Sequence, residues 1–118
     1  MLSSLGATVA APATSASASR VVIQESPIAG FQFHDAETVW NSLEVGDELR
    51  LAREADNPHD GNAVAIYRGT AKLGYVPRGE NTAVAQLMDR GECLSASIAS
   101  LIADEDPWKR IKVTIAFA

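Results

Sequence analysis

One cysteine, Cys93, stands in 118 residues, so an intramolecular disulfide and a zinc site built on paired cysteines are both excluded. Two histidines, His34 and His59, leave few ways to set a nucleophile beside an acid or base. The adjacent pairs His34-Asp35 and His59-Asp60 are the candidates for a hydrolytic dyad, yet consecutive side chains on a strand point to opposite faces. The chain is therefore read as non-enzymatic, with no cofactor and no metal. A calcium loop counted from Asp56 also fails: Pro58 falls at the third position, and Tyr67 stands at the twelfth, where a bidentate Glu belongs. No run approaches the roughly 20 apolar residues that cross a bilayer, so no membrane role is expected. Basic residues are scarce as well. Ten Lys and Arg against 15 Asp and Glu give a formal charge of −5, which opposes attraction of nucleic acid over the whole surface.

Residues 1–19 are rich in Ala, Ser and Thr, without a positively charged start, and their longest apolar run is Val9-Ala10-Ala11. That is far short of a secretory core, so 1–19 is read as a disordered leader and the location as cytoplasmic. Residues 20–118 are expected to form a single domain. With 47% hydrophobic residues the 118-residue chain can build one modest core, and no second sizeable domain fits.

What the chain does have is alternation. Arg20 to Gln24 reads as a short strand or lead-in, and Ser26-Pro27 punctuates it before Ile28 to Phe33, which puts Phe33, like Tyr75, at a strand end where alternation alone would make it a core residue. Val39, Trp40 and Leu43 share a helical face, so a brief helix capped near Asp35 is expected over one barrel mouth. Glu48 to Glu54 sets Leu49 and Leu51 against Arg50 and Ala52, a half-buried strand with Arg50 outward. Ala63, Ala65 and Tyr67 alternate with Val64, Ile66 and Arg68; Gly69-Thr70 reverses the chain, and Ala71 to Val76 returns as the second arm of a hairpin. From Glu80 to Arg90 the spacing of Val84, Leu87 and Met88 predicts a second helix, with Asn81 as its cap and Gly91 as its stop. Leu94 to Leu101 is a further strand, and Trp108 to Phe117 a last one with Ile111, Val113, Ile115 and Phe117 on one face. Trp40 and Trp108 are assigned to packing, because aromatic side chains dominate small cores. Short strands with two short helices describe a mainly β fold, a small barrel.

The most distinctive stretch is Asp56-Asn57-Pro58-His59-Asp60-Gly61-Asn62, a polar turn that leads straight into the hairpin. Pro58 fixes its own φ and holds Asn57 extended, while the Asp and Asn side chains fold onto nearby backbone amides. Asn57, Pro58 and Asn62 are thus turn braces. His59 is what the turn does not need. Basic residues gather around this motif: six acidic residues and no Lys or Arg lie from Glu25 to Glu48, whereas Arg50, Arg53, Arg68, Lys72 and Arg78 follow. A local binding groove and a solubilising surface both account for that clustering.

The Asn57-Pro58-His59-Asp60-x-Asn62-Ala63-Val64 core, followed by Gly74-Tyr75-Val76-Pro77-Arg78, resembles the HIRAN domain. Supporting segments are Ala29-Gly30-Phe31-Gln32-Phe33-His34, Val45-Gly46-Asp47 and Leu87-Met88-Asp89-Arg90-Gly91, so the likeness runs from about Ile28 to Phe117. That family includes small free-standing bacterial proteins and the N-terminal module of Swi/Snf-type helicases that remodel stalled replication forks. The resemblance implies a modified OB-like β-barrel that binds single-stranded DNA, with helicase-associated members capturing a free 3′-hydroxyl end. An aromatic-plus-Asp pair of the family corresponds here to His59 and Asp60, a base-stacking aromatic to Phe33, and the residue after the motif glycine to Tyr75. Three positions depart from the pattern: His59 replaces the usual Tyr, Gln32 an Arg, and Phe33 lacks a phenolic hydroxyl.

The function expected is recognition of single-stranded DNA at a 3′ end, in DNA repair or fork processing. His59 and Tyr75 would shape the pocket, Asp60 would accept a hydrogen bond, and Phe33 would stack on a base. Arg50, Arg53, Lys72 and Arg78 are the phosphate candidates. The alternative is a protein-interaction module that docks a helicase or nuclease by strand addition.

Overall fold

The computed structural model describes residues 20–118, so the expected leader, 1–19, lies outside the described residues. Six antiparallel strands form one sheet in the order β1-β6-β5-β2-β3-β4. They are β1 (Val22–Pro27), β2 (Glu48–Glu54), β3 (Ala63–Arg68), β4 (Ala71–Tyr75), β5 (Leu94–Leu101) and β6 (Ile111–Phe117). Two short helices, α1 (Ala36–Val39) and α2 (Thr82–Asp89), complete a mainly β fold.

β2 is the corner of the sheet. Its first residues, Glu48 and Leu49, pair with Ser97 and Ala96 of β5, while Arg50 to Glu54 pair with Tyr67 to Ala63 of β3. A strand that changes partners part-way along curls the sheet into a half-barrel. The open edge of β4 then meets the chain just after β1. Ala29 and Tyr75 exchange two backbone hydrogen bonds, N to O at 2.8 and 2.9 Å. This seam explains Gly74 of the motif. Its φ is +150°, and a Cβ there would lie 2.4 Å from the Ala29 carbonyl oxygen and 2.5 Å from Ile28 Cγ2, so no other residue lets the two backbones approach.

The core is the inward row of each strand, including Val64 and Ile66 of β3, Leu73, Ile98 and Ile111, Val113 and Ile115 of β6, with Phe31 and Val84 closing the ends. Each fully buried Ile or Leu contributes about 1.5–3 kcal/mol relative to exposure. Helix α2 turns Val84 and Ala85 inward and stops as its sequence predicts. Gly91, at φ 87°, donates to Met88 O and Glu92 to Leu87 O, both at 3.0 Å, which satisfies the last carbonyls.

Four local expectations are corrected. β1 runs through Ser26-Pro27 instead of ending before it, because Pro27 is the last residue of an edge strand and its missing N–H breaks no ladder. Ile28 to Phe33 is not a strand: Ala29 forms one bridge, Gly30 turns the chain, and Phe31–Phe33 is a tight 3-10 turn. Trp108 is 48% exposed on the 3-10 turn Pro107–Lys109, so it is not a core residue; Trp40 is half-buried against the core, edge-on to Phe31 with ring centroids 5.8 Å apart. Neither Asp35 nor Asn81 caps its helix through the side chain; Asp35 bonds to Lys72 and Asn81 to Asp60 instead.

Candidate nucleic-acid interface

The polar turn between β2 and β3 is built by two side chains. Asn57 Oδ1 accepts from His59 N at 2.8 Å, bridging Pro58, and Asp60 Oδ1 accepts from Asn62 N at 2.9 Å. Asn62 contributes its backbone N–H to this bracing. The second oxygen of Asp60 accepts from Asn81 Nδ2 at 2.8 Å, and Asn81 is buried. That bond pins the turn to the start of α2, and the Asn81 side chain makes no cap bond to its own helix. The Asn62 amide first, and then Asn81, hold the Asp60 carboxyl below its ordinary pKa. Asp60 therefore stays ionised at neutral pH, with Arg78 at 3.8 Å. The His59 side chain is left exposed on a braced backbone.

Tyr75 stands on the other side of the turn, at the end of β4. Its hydroxyl donates to Glu54 Oε1 at 2.8 Å and accepts from Lys72 Nζ at 2.6 Å. Lys72 also pairs with Glu54 Oε2 at 3.1 Å and lies 4.4 Å over the Tyr75 ring. Asn57 Nδ2 donates to the same Glu54 at 3.1 Å, so Glu54 joins the turn, Lys72 and Tyr75 into one unit. Burial alone would raise the Glu54 pKa, but the bonds from Tyr75, Asn57 and Lys72 outweigh it and hold the carboxyl below its usual range. Burial would likewise lower Lys72, and Tyr75 and Glu54 instead hold it above its ordinary value.

The turn after β1 completes the site. The His34 ring packs edge-on against Tyr75 with centroids 5.5 Å apart, and burial, then Lys72, lowers its pKa. Asp35 Oδ2 accepts from Lys72 N at 3.2 Å and Asp35 N donates to Lys72 O at 2.8 Å, so its carboxylate is a strand clasp rather than a cap or half of a dyad. Next to His34, Phe33 is 77% exposed, an aromatic ring held out in solvent by a tight turn. The side chain of Gln32 lies outside the described ones.

Phe33, His59, Asp60, Tyr75 and Arg78 thus surround one end of the half-barrel. The other phosphate candidates divide. Arg53 is taken up by Asp89 at 3.0 and 3.1 Å and by Ala63 O at 3.1 Å, tying β2 to α2, and Lys72 is neutralised by Glu54. Arg50 is exposed, but its guanidinium lies 4.4 Å over Tyr67, away from the turn. Sequence reasoning missed the roles of Glu54 and Tyr67 and weighed His34 as half of a dyad, not as the ring that packs on Tyr75. The alternation of β2 gave the one available signal, since Glu54 shares the outward parity of Arg50.

A half-barrel closed at Gly74, a braced turn carrying His59 and Asp60, and an aromatic on each side make a distinctive set, and comparison with known families matches residues 21–117 to the HIRAN domain. The chain belongs to the HIRAN domain family. Among solved structures, a protein from Lactobacillus plantarum is similar at 28% identity and a TM-score of 0.72, over 84% of this chain and 95% of that one. The HIRAN domain of human HLTF shares the fold at a TM-score of 0.64 and 14% identity, over 83% of this chain and 78% of that one. No curated protein sequence matches. The HIRAN assignment accounts for the OB-like curl of the sheet. Among the described residues, no helix is long and apolar enough to cross a membrane.

Proposed function

We propose that this HIRAN domain binds single-stranded DNA at a free 3′-hydroxyl end and acts by binding, without catalysis, in DNA repair or replication-fork processing. The observation that carries the reading is Phe33, 77% exposed and next in the chain to His34, whose ring packs on Tyr75. An exposed aromatic next to a rigid polar rim is a stacking platform; each base stacked is worth about 1–3 kcal/mol. In this reading a base lies on Phe33, the terminal sugar meets His59 and Tyr75, and exposed Arg78 takes a backbone phosphate. Asp60 and Glu54 supply the end preference. Both are held ionised by internal hydrogen bonds, so they accept from a hydroxyl and repel a terminal phosphate.

The test is fluorescence anisotropy with short labelled oligomers ending in 3′-hydroxyl or 3′-phosphate, beside a duplex, at low salt. Selective binding of the hydroxyl end is expected, and Phe33→Ala and His59→Ala should each weaken it about 5- to 100-fold with the melting temperature kept. Equal affinity for the two ends would remove the end preference, and no binding would remove the reading. One observation favours a second reading. β1 is an edge strand whose approach carries Val21 and Val22, 64% and 55% exposed, so a helicase or nuclease could dock there by strand addition. A partner recovered by pull-down together with no DNA affinity would select it.

A further inference from the structure

A strand held by its last nucleotide must leave the pocket over some surface, and OB-type sites engage about 4–16 nucleotides. In one direction from Tyr75 lies the turn, with the carboxylates of Glu54, Asp56 and Asp60. In the other, the register sets Lys72 opposite Tyr67 and Tyr67 opposite Arg50, so the three form a row across β4, β3 and β2 on the face that carries Tyr75. From strand spacing, Tyr67 is about 8 Å from Tyr75. Beyond Arg50, β2 and β5 part company after the Leu49–Ala96 pair, and a groove of about 630 Å³ opens there. Arg50 stands on one wall and Arg20 on another, and short side chains, Ser95, Ser97 and Thr114 among them, line the groove.

We propose that the Tyr67–Arg50 row and this groove carry the nucleotides that precede the bound end, an inference that rests on the single-stranded DNA reading above. Arg50 is suited to the task. Tyr67 holds its guanidinium from beneath at 4.4 Å, its outer side is exposed, and it has no ion-pair partner among the described residues. It therefore offers a preorganised charge to a phosphate and a flat cation to a base. Ser95 and Ser97 add hydroxyl donors at the right scale for backbone oxygens, while the Thr114 hydroxyl is taken up by Glu25 at 3.3 Å. Glu48 also lines the groove, and Arg20 and Arg50 together outweigh its charge. The occupant is a single strand, since the groove sets Arg20, Arg50 and two serine hydroxyls for phosphates beside Leu49, Leu51 and Leu94 for sugars and bases, and it opens next to the Arg50–Tyr67 pair.

The experiment compares a dinucleotide with an oligomer of about 10 nucleotides, both ending in 3′-hydroxyl, on the wild-type chain, Arg50→Ala and His59→Ala, across a salt titration. The wild type should bind the longer oligomer more tightly. Arg50→Ala should cost the longer oligomer about tenfold more than the dinucleotide and lower its salt slope by about 0.7, the share of one phosphate contact on a single strand. His59→Ala should weaken both lengths together. Equal wild-type affinity for the two lengths, or an Arg50→Ala effect that ignores length, would overturn the groove path and leave the end pocket standing. Length-selective loss in Arg50→Ala with no effect of His59→Ala would do the reverse, and a wild-type chain that binds neither oligomer would overturn both.

Discussion

Replacing Gly74 with alanine attacks the seam of the half-barrel directly. The added Cβ would sit 2.4 Å from the Ala29 carbonyl oxygen and 2.5 Å from Ile28 Cγ2, on a backbone at φ +150°. Holding a side-chain-bearing residue in that sparsely populated conformation costs about 1–3 kcal/mol. The clash is relieved by moving Ala29 away from Tyr75, which forfeits two backbone hydrogen bonds at about 1 kcal/mol each. The expected loss is therefore about 3–5 kcal/mol, out of the 5–15 kcal/mol that typically stabilises a domain. For a domain of this size that lowers the melting temperature by roughly 15–30 °C. Urea unfolding followed by tryptophan fluorescence, with Trp40 packed on Phe31 as the reporter, measures it. A loss below about 1 kcal/mol would refute the argument, because it would mean the seam opens at almost no cost.

Acidification should weaken the Glu54 unit. Its carboxyl is depressed in the folded chain, so the stabilisation is complete above the ordinary value of 4.5 and is lost as pH falls through the lower folded value; Glu54→Gln should flatten that part of a stability-versus-pH curve. Asn81→Asp would place two carboxylates in contact at a buried position, and the resulting loss in urea midpoint at neutral pH should shrink as the pH is lowered. Arg53→Met should cost about 1 kcal/mol, mainly the bond to Ala63 O because Asp89 is half-exposed, while the salt dependence of DNA affinity stays as in the wild type.

The sequence made the strands legible wherever one face is buried. β5 and the inward row of β6 fall where alternation places them, and the Gly69-Thr70 reversal and the Gly91 stop are local chemistry that needs no tertiary partner. Asn81 was misread for the opposite reason. Its cap signal is local, but a distant carboxylate, Asp60, claims the side chain. Arg53 and Lys72 looked like free cations because their partners, Asp89 and Glu54, are 36 and 18 positions away. Phe33 shows the converse: strand-like alternation would bury it, and the Gly30 turn turns it out into solvent. The role of Gly74 depends on a contact with Ala29, across 45 positions, so the sequence shows the glycine and not the need for it.

The strand order has a consequence for how the domain is made. β6, the last strand to be synthesised, is an interior one, lying between β1 and β5, and Val22 at the beginning is paired with Ala116 near the end. On a ribosome, β1 must wait for almost the whole domain to emerge before its neighbour β6 exists. The β2–β3–β4 part, whose paired residues lie at most 17 positions apart, can form while synthesis continues. The polar turn and Tyr75 are thus assembled early, and the half-barrel that sets His34 against Tyr75 is completed only once β6 has emerged.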